Sequence, residues 1–201
     1  MTASVYFSID IEASGPVPGL YNMVSLGAVP VTLHGDTWRA APDRFYLEFR
    51  PIAPGFDSGA MAVHGIPRER LEAEGVPADE GMRRLTGFVN GCVACGRARA
   101  VFVGHNAVFD WSFVSYYYAV HQLDNPFGYK GLDIKSLAMG RLGIDWFDTS
   151  KENLAELLPG LPDQDRDLVH RADYDALYQA EILCALLNRL PPIGAGSLAR
   201  E

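Results

Sequence analysis

The sequence predicts an α/β fold, a mixed sheet covered by helices. Three observations predict it: β-rich runs come first, helical periodicity follows, and short apolar runs then alternate with helical ones. The opening run SVYFSID ends at an acidic residue and reads as a strand. After a Gly/Pro loop, NMVSLGAVPVTL reads as a second strand. In DRFYLEFRP, the alternation of Phe45, Leu47 and Phe49 marks a half-buried third strand. These three make an antiparallel meander. In PADEGMRRLTGFVNGCVACG, Met82, Leu85, Val89 and Cys92 recur at helical steps behind an acidic first turn. ARAVFVGHN is a short buried strand leading into a helix over AVFDWSFVSYYYAV, and GLDIKSLAM is another strand running into a helix. That gives five strands in all.

Thr149 and Glu152 have the spacing of a capping box before ENLAELL. A last helix over 172–190 places Leu177, Ala180, Cys184, Leu187 and Leu190 on one face, and residues 191–201 form a flexible tail. With 201 residues and no internal linker or repeat, residues 1–190 are expected to form one domain.

Composition narrows the function. A net charge of −8 disfavours a protein that coats long nucleic acid by neutralising phosphates. It still permits one that grips a strand end, because bound cations reverse the sign locally. MTASVYFSID lacks the features of a signal peptide, and no apolar stretch approaches the length of a membrane span. Three cysteines are too few for a disulfide framework, so a cytoplasmic location is expected. Cys92-x-x-Cys95 has half of a zinc pattern with nothing to complete it, and it reads as core packing on an apolar helix face.

Chemistry concentrates in three segments. Asp10 and Glu12 are two apart on a strand and therefore share a face. Ser14 and Gly15 follow, and glycine there permits close backbone approach to a hydroxyl or phosphate. Asp110 sits early in an apolar helix, after His105 and Asn106, with Phe109 and Trp111 beside it. His170 ends a polar loop, and Asp175 lies five residues later in the last helix. Each has an ordinary reading when taken singly: surface acids, a dipole-favoured acid, an N-cap asparagine, a solvated histidine. Gathered in one cleft, four carboxylates would repel one another unless cations joined them, and hard oxygen ligands favour magnesium or manganese.

Taken together, these segments resemble the DEDDh (DnaQ-like) family of 3′–5′ exonucleases. The match is carried by Asp10-Ile11-Glu12 with Ser14-Gly15, by His105-Asn106 with Phe109-Asp110, and by His170 with Asp175 in H-x(4)-D. Ala62-Val63-His64-Gly65-Ile66 is similar to the family's segment beside the terminal nucleotide. The sister branch has tyrosine four residues before the last aspartate, where this chain has Arg171. The family often has threonine after the first glutamate, where this chain has Ala13.

The resemblance implies a ribonuclease-H-like fold, with a mixed five-stranded sheet flanked by helices. It also implies a metal-dependent 3′–5′ exonuclease that releases nucleoside monophosphates from single-stranded DNA or RNA ends. Asp10, Glu12, Asp110 and Asp175 would hold two Mg²⁺ or Mn²⁺ ions, and His170 would act as general base. Ser14, Gly15, His64, Asn106 and Phe109 would contact substrate. Family members are often dimers, which leaves room for a homodimer or for a polymerase or other nucleic-acid-processing partner; no membrane is implied. Two other readings stay open: an inactive binding module of the same fold, and a phosphodiesterase of very short oligonucleotides.

Overall fold

The computed structural model describes residues 3–93 and 98–189. Its central strand β1 (Ala3–Ala13) pairs antiparallel with β2 (Met23–His34) and parallel with β5 (Ala98–Gly104). Strand β6 (Gly131–Asp133) continues the parallel half beside β5. Strands β3 (Thr37–Ala40) and β4 (Phe45–Glu48) share the outer edge of β2, β3 against residues 31–34 and β4 against residues 25–28. The helices are α1 (Ser58–His64), α2 (Arg68–Glu74), α3 (Ala78–Cys92), α4 (Ala107–Val120), α5 (Ile134–Leu142), α6 (Lys151–Leu157) and α7 (Ala172–Leu187). None is long and apolar enough among the described residues to cross a membrane.

The mixed sheet is the one expected, but it has six strands instead of five. The extra strand is β3, turned back from β2 at Gly35-Asp36, a two-residue loop whose glycine has φ +61°. That dipeptide is a hairpin signal, and it divides the expected simple meander into two short partners for β2. Helices α1 and α2 are also additions. The side chain of Asp57 accepts from Ala60 N–H at 2.8 Å to start α1, and Gly65 ends it in the left-handed region.

Period-2 alternation along β1 separates two cores. Val5, Phe7, Ile9 and Ile11 face a layer containing Met82, Leu85 and Val89 of α3 and Phe113, Tyr117 and Tyr118 of α4. Tyr6 faces the other layer, with Val29, Val31, Val103 and the buried residues of α7. Each large apolar side chain withdrawn from water here contributes about 1.5–3 kcal/mol. In the tyrosine run of α4, Tyr117 and Tyr118 are fully buried, and Tyr117 Oη accepts from Met23 N–H at 2.9 Å.

Two local expectations are corrected. Ser150, not Thr149, caps α6: its Oγ accepts from Asn153 N–H at 3.2 Å, while Thr149 Oγ1 donates to Trp146 O at 2.5 Å inside a preceding 3₁₀ turn. Cys92 is exposed, because α3 ends at that residue and Val93 turns in to pack on the core. Cys95 and the expected 191–201 tail lie outside the described residues.

Gly27 of β2, opposite Asp10, sets how closely α7 approaches the sheet. A Cβ there would lie 2.2 Å from the Ala172 carbonyl oxygen. Gly27→Ala must therefore displace the first turn of α7, and it is expected to cost about 1–3 kcal/mol, as overpacking does. Thermal unfolding of the variant checks this; an unchanged melting temperature would mean that the contact can relax without penalty.

Candidate active site

The parallel strands β1, β5 and β6 end on one side of the molecule, the usual location of a site in an open α/β sheet. Pairing between β1 and β5 stops at Ser8, and β1 runs on alone along that edge. Asp10 and Glu12 project there onto the α7 face, since their neighbours Ile9 and Ile11 point into the opposite core. The edge amide this leaves at Ile11 donates to Asp110 Oδ1 at 3.0 Å, which brings a carboxylate from α4 to the same point. Asp175 arrives from α7, where its Oδ2 accepts from His170 N–H at 2.7 Å. His170 is exposed and in the left-handed region at φ +66°. Ligating atoms of Glu12, His170 and Asp175 lie within 4.8 Å of one another. A cavity of about 290 Å³ opens here, lined by Asp10, Glu12, His170 and Asp175 together with Lys151, Glu152 and Gln164.

Two further residues, beyond those the motifs point to, complete this site. Lys151, the first residue of α6, places Nζ 2.6 Å from Asp175 Oδ1 and 3.9 Å from Asp10 Oδ1. Gln179 is buried; its Oε1 accepts from His105 N–H at 3.1 Å, which turns Nε2 to donate to Asp10 Oδ1 at 2.5 Å. Gln179 lies four residues after Asp175 on the same helix face, a signal that was present in the sequence. No comparable pattern marks Lys151.

Crowding shows in the electrostatics. Burial first, then repulsion from Asp10 and Asp175, pushes Glu12 up to about 9. Burial also pushes Asp10 up to about 7, against the attraction of Lys151 and with a further push from Asp175. Asp110 is raised well above the carboxylate range by burial and then by Asp10. Burial alone would lower Lys151, but Asp10 and Asp175 outweigh it and hold the ammonium above its ordinary value.

The residues expected at the substrate divide into two groups. Ser14 is fully buried and bonded inside its own loop: Oγ donates to Gly55 O at 2.9 Å and accepts from Asn22 N–H at 2.8 Å. Its N–H also donates to Asn22 O at 2.9 Å, so Ser14 holds the loop and turns neither its hydroxyl nor its amide to the substrate expected there. At Gly15 a Cβ would meet the Tyr21 ring at 2.3 Å, so close packing requires glycine there. His64 Nδ1 accepts from Ile66 N–H at 3.1 Å, which leaves a buried Nε2–H without a partner among the described residues. Burial, then nearby His170, holds the basicity of His64 down.

Asn106 occupies the N-cap position of α4 but makes no side-chain cap; Asp133 Oδ1 accepts from Ala107 N–H at 3.0 Å instead. The Asn106 side chain is exposed, and Phe109 beside it is partly so. Trp111 packs edge-on against Phe102 and belongs to the core. His105 is held neutral, with burial lowering it to about 4, and its Nε2 lies 2.8 Å from Thr149 O, tying α4 to the segment before α6.

Such a sheet, with carboxylates and a histidine at the open end of its central strand, is the arrangement expected of a nuclease of ribonuclease-H-like fold. The chain belongs to the exonuclease family of the RNase T type, whose family model matches residues 7–183. It is 36% identical over 186 residues to the 3′-5′ DNA exonuclease Cap18 of Escherichia coli, covering 92% of each chain. It is 29% identical over 194 residues to ribonuclease T of Marinobacter nauticus, covering 92% of this chain and 83% of that one. Its fold matches the nuclease domain of 3′hExo, a DEDDh family member bound to rAMP, with a TM-score of 0.73, 14% identity and 92% of each chain covered. It also matches the E. coli ExoI–ssDNA complex, with a TM-score of 0.66, 19% identity, and coverage of 92% of this chain and 40% of that one.

The Glu12 shift predicts a pH dependence. With its carboxyl raised from 4.5 to about 9, the folded protein holds a proton that the unfolded chain releases. That contribution is fully present below pH 4.5 and is lost as pH rises through about 9. In chelator, the melting temperature is therefore expected to fall between about pH 5 and pH 8, and Glu12→Gln, neutral throughout, should flatten the fall. Parallel curves for the two proteins would count against a shifted Glu12.

Proposed function

We propose that the enzyme removes nucleoside monophosphates one at a time from single-stranded 3′ ends, using two divalent cations held by Asp10, Glu12, Asp110 and Asp175. The observation that carries this reading is the approach of Glu12, His170 and Asp175 to within 4.8 Å at the open end of β1. The donor set fits a hard cation, because it is made of carboxylate oxygens and already seats one positive group, the Lys151 ammonium, against Asp175. When bound, Mg²⁺ or Mn²⁺ would supply Lewis-acid stabilisation of the attacking and leaving oxygens.

The chain's own residues do the remaining work. Asp10 and Glu12 are fixed by strand pairing, and Gln179 orients Asp10 through a hydrogen bond. His170 stands exposed at the cavity with its backbone tied to Asp175, so its ring can take a proton from the attacking water and pass it to solvent. The exposed Asn106 side chain and the partly exposed Phe109 ring would hold the terminal nucleotide, its base lying against the aromatic face, and the buried His64 Nε2–H would join them only after a local opening. DNA is the better supported substrate, since the 36%-identical relative is named a DNA exonuclease.

Digestion of end-labelled single- and double-stranded DNA and RNA, with and without Mn²⁺, tests the proposal. Metal-dependent release of mononucleotides from single-stranded 3′ ends is expected. No release from any substrate, or undiminished release in chelator, would overturn it. His170→Ala is expected to fold normally and lose about 10²–10⁴-fold in turnover, the usual consequence of removing a general base. Near-wild-type turnover would remove His170 from that role.

A further inference from the structure

Lys151 stands apart from the other residues of the site in bringing a positive charge to it. Its Nζ is 2.6 Å from Asp175 Oδ1 and 3.9 Å from Asp10 Oδ1, and it lines the same cavity as the carboxylates. The pair is well shielded, with side-chain exposures of 20% for Lys151 and 4% for Asp175. Asp175 thus has both oxygens engaged, Oδ1 by the ammonium and Oδ2 by His170 N–H. A divalent cation on the same Oδ1 would stand close to this ammonium, and like charges so close repel strongly in a shielded site, so the two compete for Asp175.

We propose that Lys151 is a built-in counter-ion that holds Asp175 in the metal-free enzyme and must withdraw for a divalent cation to enter, so that it sets the metal affinity of the site. This rests on the metal-dependent reading above and adds a regulatory element to it. In the metal-free protein the ammonium offsets the repulsion between Asp175 and Asp10, which keeps the end of β1 and the start of α7 together. The same contact penalises metal entry by the work of breaking a shielded ion pair. Because Lys151 begins α6 immediately after its Ser150 cap, the side chain can swing out without unwinding the helix. Lys151 is therefore a positioning residue for the carboxylates.

Calorimetric titration of the intact protein with Mn²⁺, beside thermal unfolding in chelator and in Mn²⁺, tests this without an activity assay. Lys151→Met, which keeps the length of the side chain and removes the charge, is expected to bind Mn²⁺ about tenfold more tightly or better, the consequence of losing one competing ion pair. It should melt lower than wild type in chelator and gain more on metal addition, while Lys151→Arg should keep wild-type behaviour. Unchanged or weaker Mn²⁺ binding by Lys151→Met, or an equal loss of melting temperature with and without metal, would overturn the inference and leave the metal-dependent reading intact. Failure of wild type and both variants to bind Mn²⁺ would remove that reading and the inference with it.

Discussion

The mutual repulsion of Asp10, Glu12, Asp110 and Asp175 governs how the elements of this protein meet. Four carboxylates withdrawn from water at one end of a sheet would drive their elements apart; burial first, and then their mutual repulsion, pushes Asp10, Glu12 and Asp110 upward. The structure answers with polar partners from separate parts of the chain: the Ile11 amide, the Lys151 ammonium, the Gln179 amide and the His170 amide. Hydrogen bonds to charged groups contribute about 1.5–3 kcal/mol each. Together they tie β1, α4, α6 and α7 at a single junction.

That junction holds only because the apolar layers bring the elements to it in register. The alternation of β1 sends Ile9 and Ile11 into one core and leaves Asp10 and Glu12 on the other face. Gly27 lets the first turn of α7 sit against β2 opposite Asp10. Asp173, almost fully buried at the same turn, is bound through both oxygens by Arg171 and approached by Arg44 at 3.5 Å, which anchors α7 to the strand edge. Packing thus sets where the carboxylates stand, and the polar bonds set how each of them points.

Much of this was legible in the sequence, and the reason differs by element. Asp10 and Glu12 followed from strand periodicity, and Asp175 could be placed on a helix, because both depend on local spacing. The mixed sheet was readable from the order of β-rich and helical runs, whereas the β2–β3 hairpin rested on one dipeptide, Gly35-Asp36. Ser14 and Lys151 were not legible in the same way. Whether a serine hydroxyl faces a ligand or a neighbouring loop depends on Asn22 and Gly55, and whether a lysine meets solvent or Asp175 depends on where α6 docks. Cys92 fitted the helical period but fell past the end of the packed surface, a boundary that periodicity does not mark.

The charge distribution of the molecule agrees with a site that recognises an end. The chain carries −8, and several of its arginines are neutralised where they stand: Arg68 by Glu72, Arg83 by Asp79, Arg84 by Glu80, and Arg70 by Glu48 and Glu74. A duplex or a long strand gains its affinity from many phosphate contacts, and these paired arginines offer few. Under the proposed two-cation site, attraction for a polyanion would come from the carboxylate cluster itself, where bound cations would reverse the local charge. On that proposal, affinity confined to so small an area would favour the last nucleotide over the interior of a strand. The proposed role of His170 fits its placement, exposed on a loop while the acids are locked into strand and helix: a general base there would meet a water arriving from solvent, while the acids stay fixed.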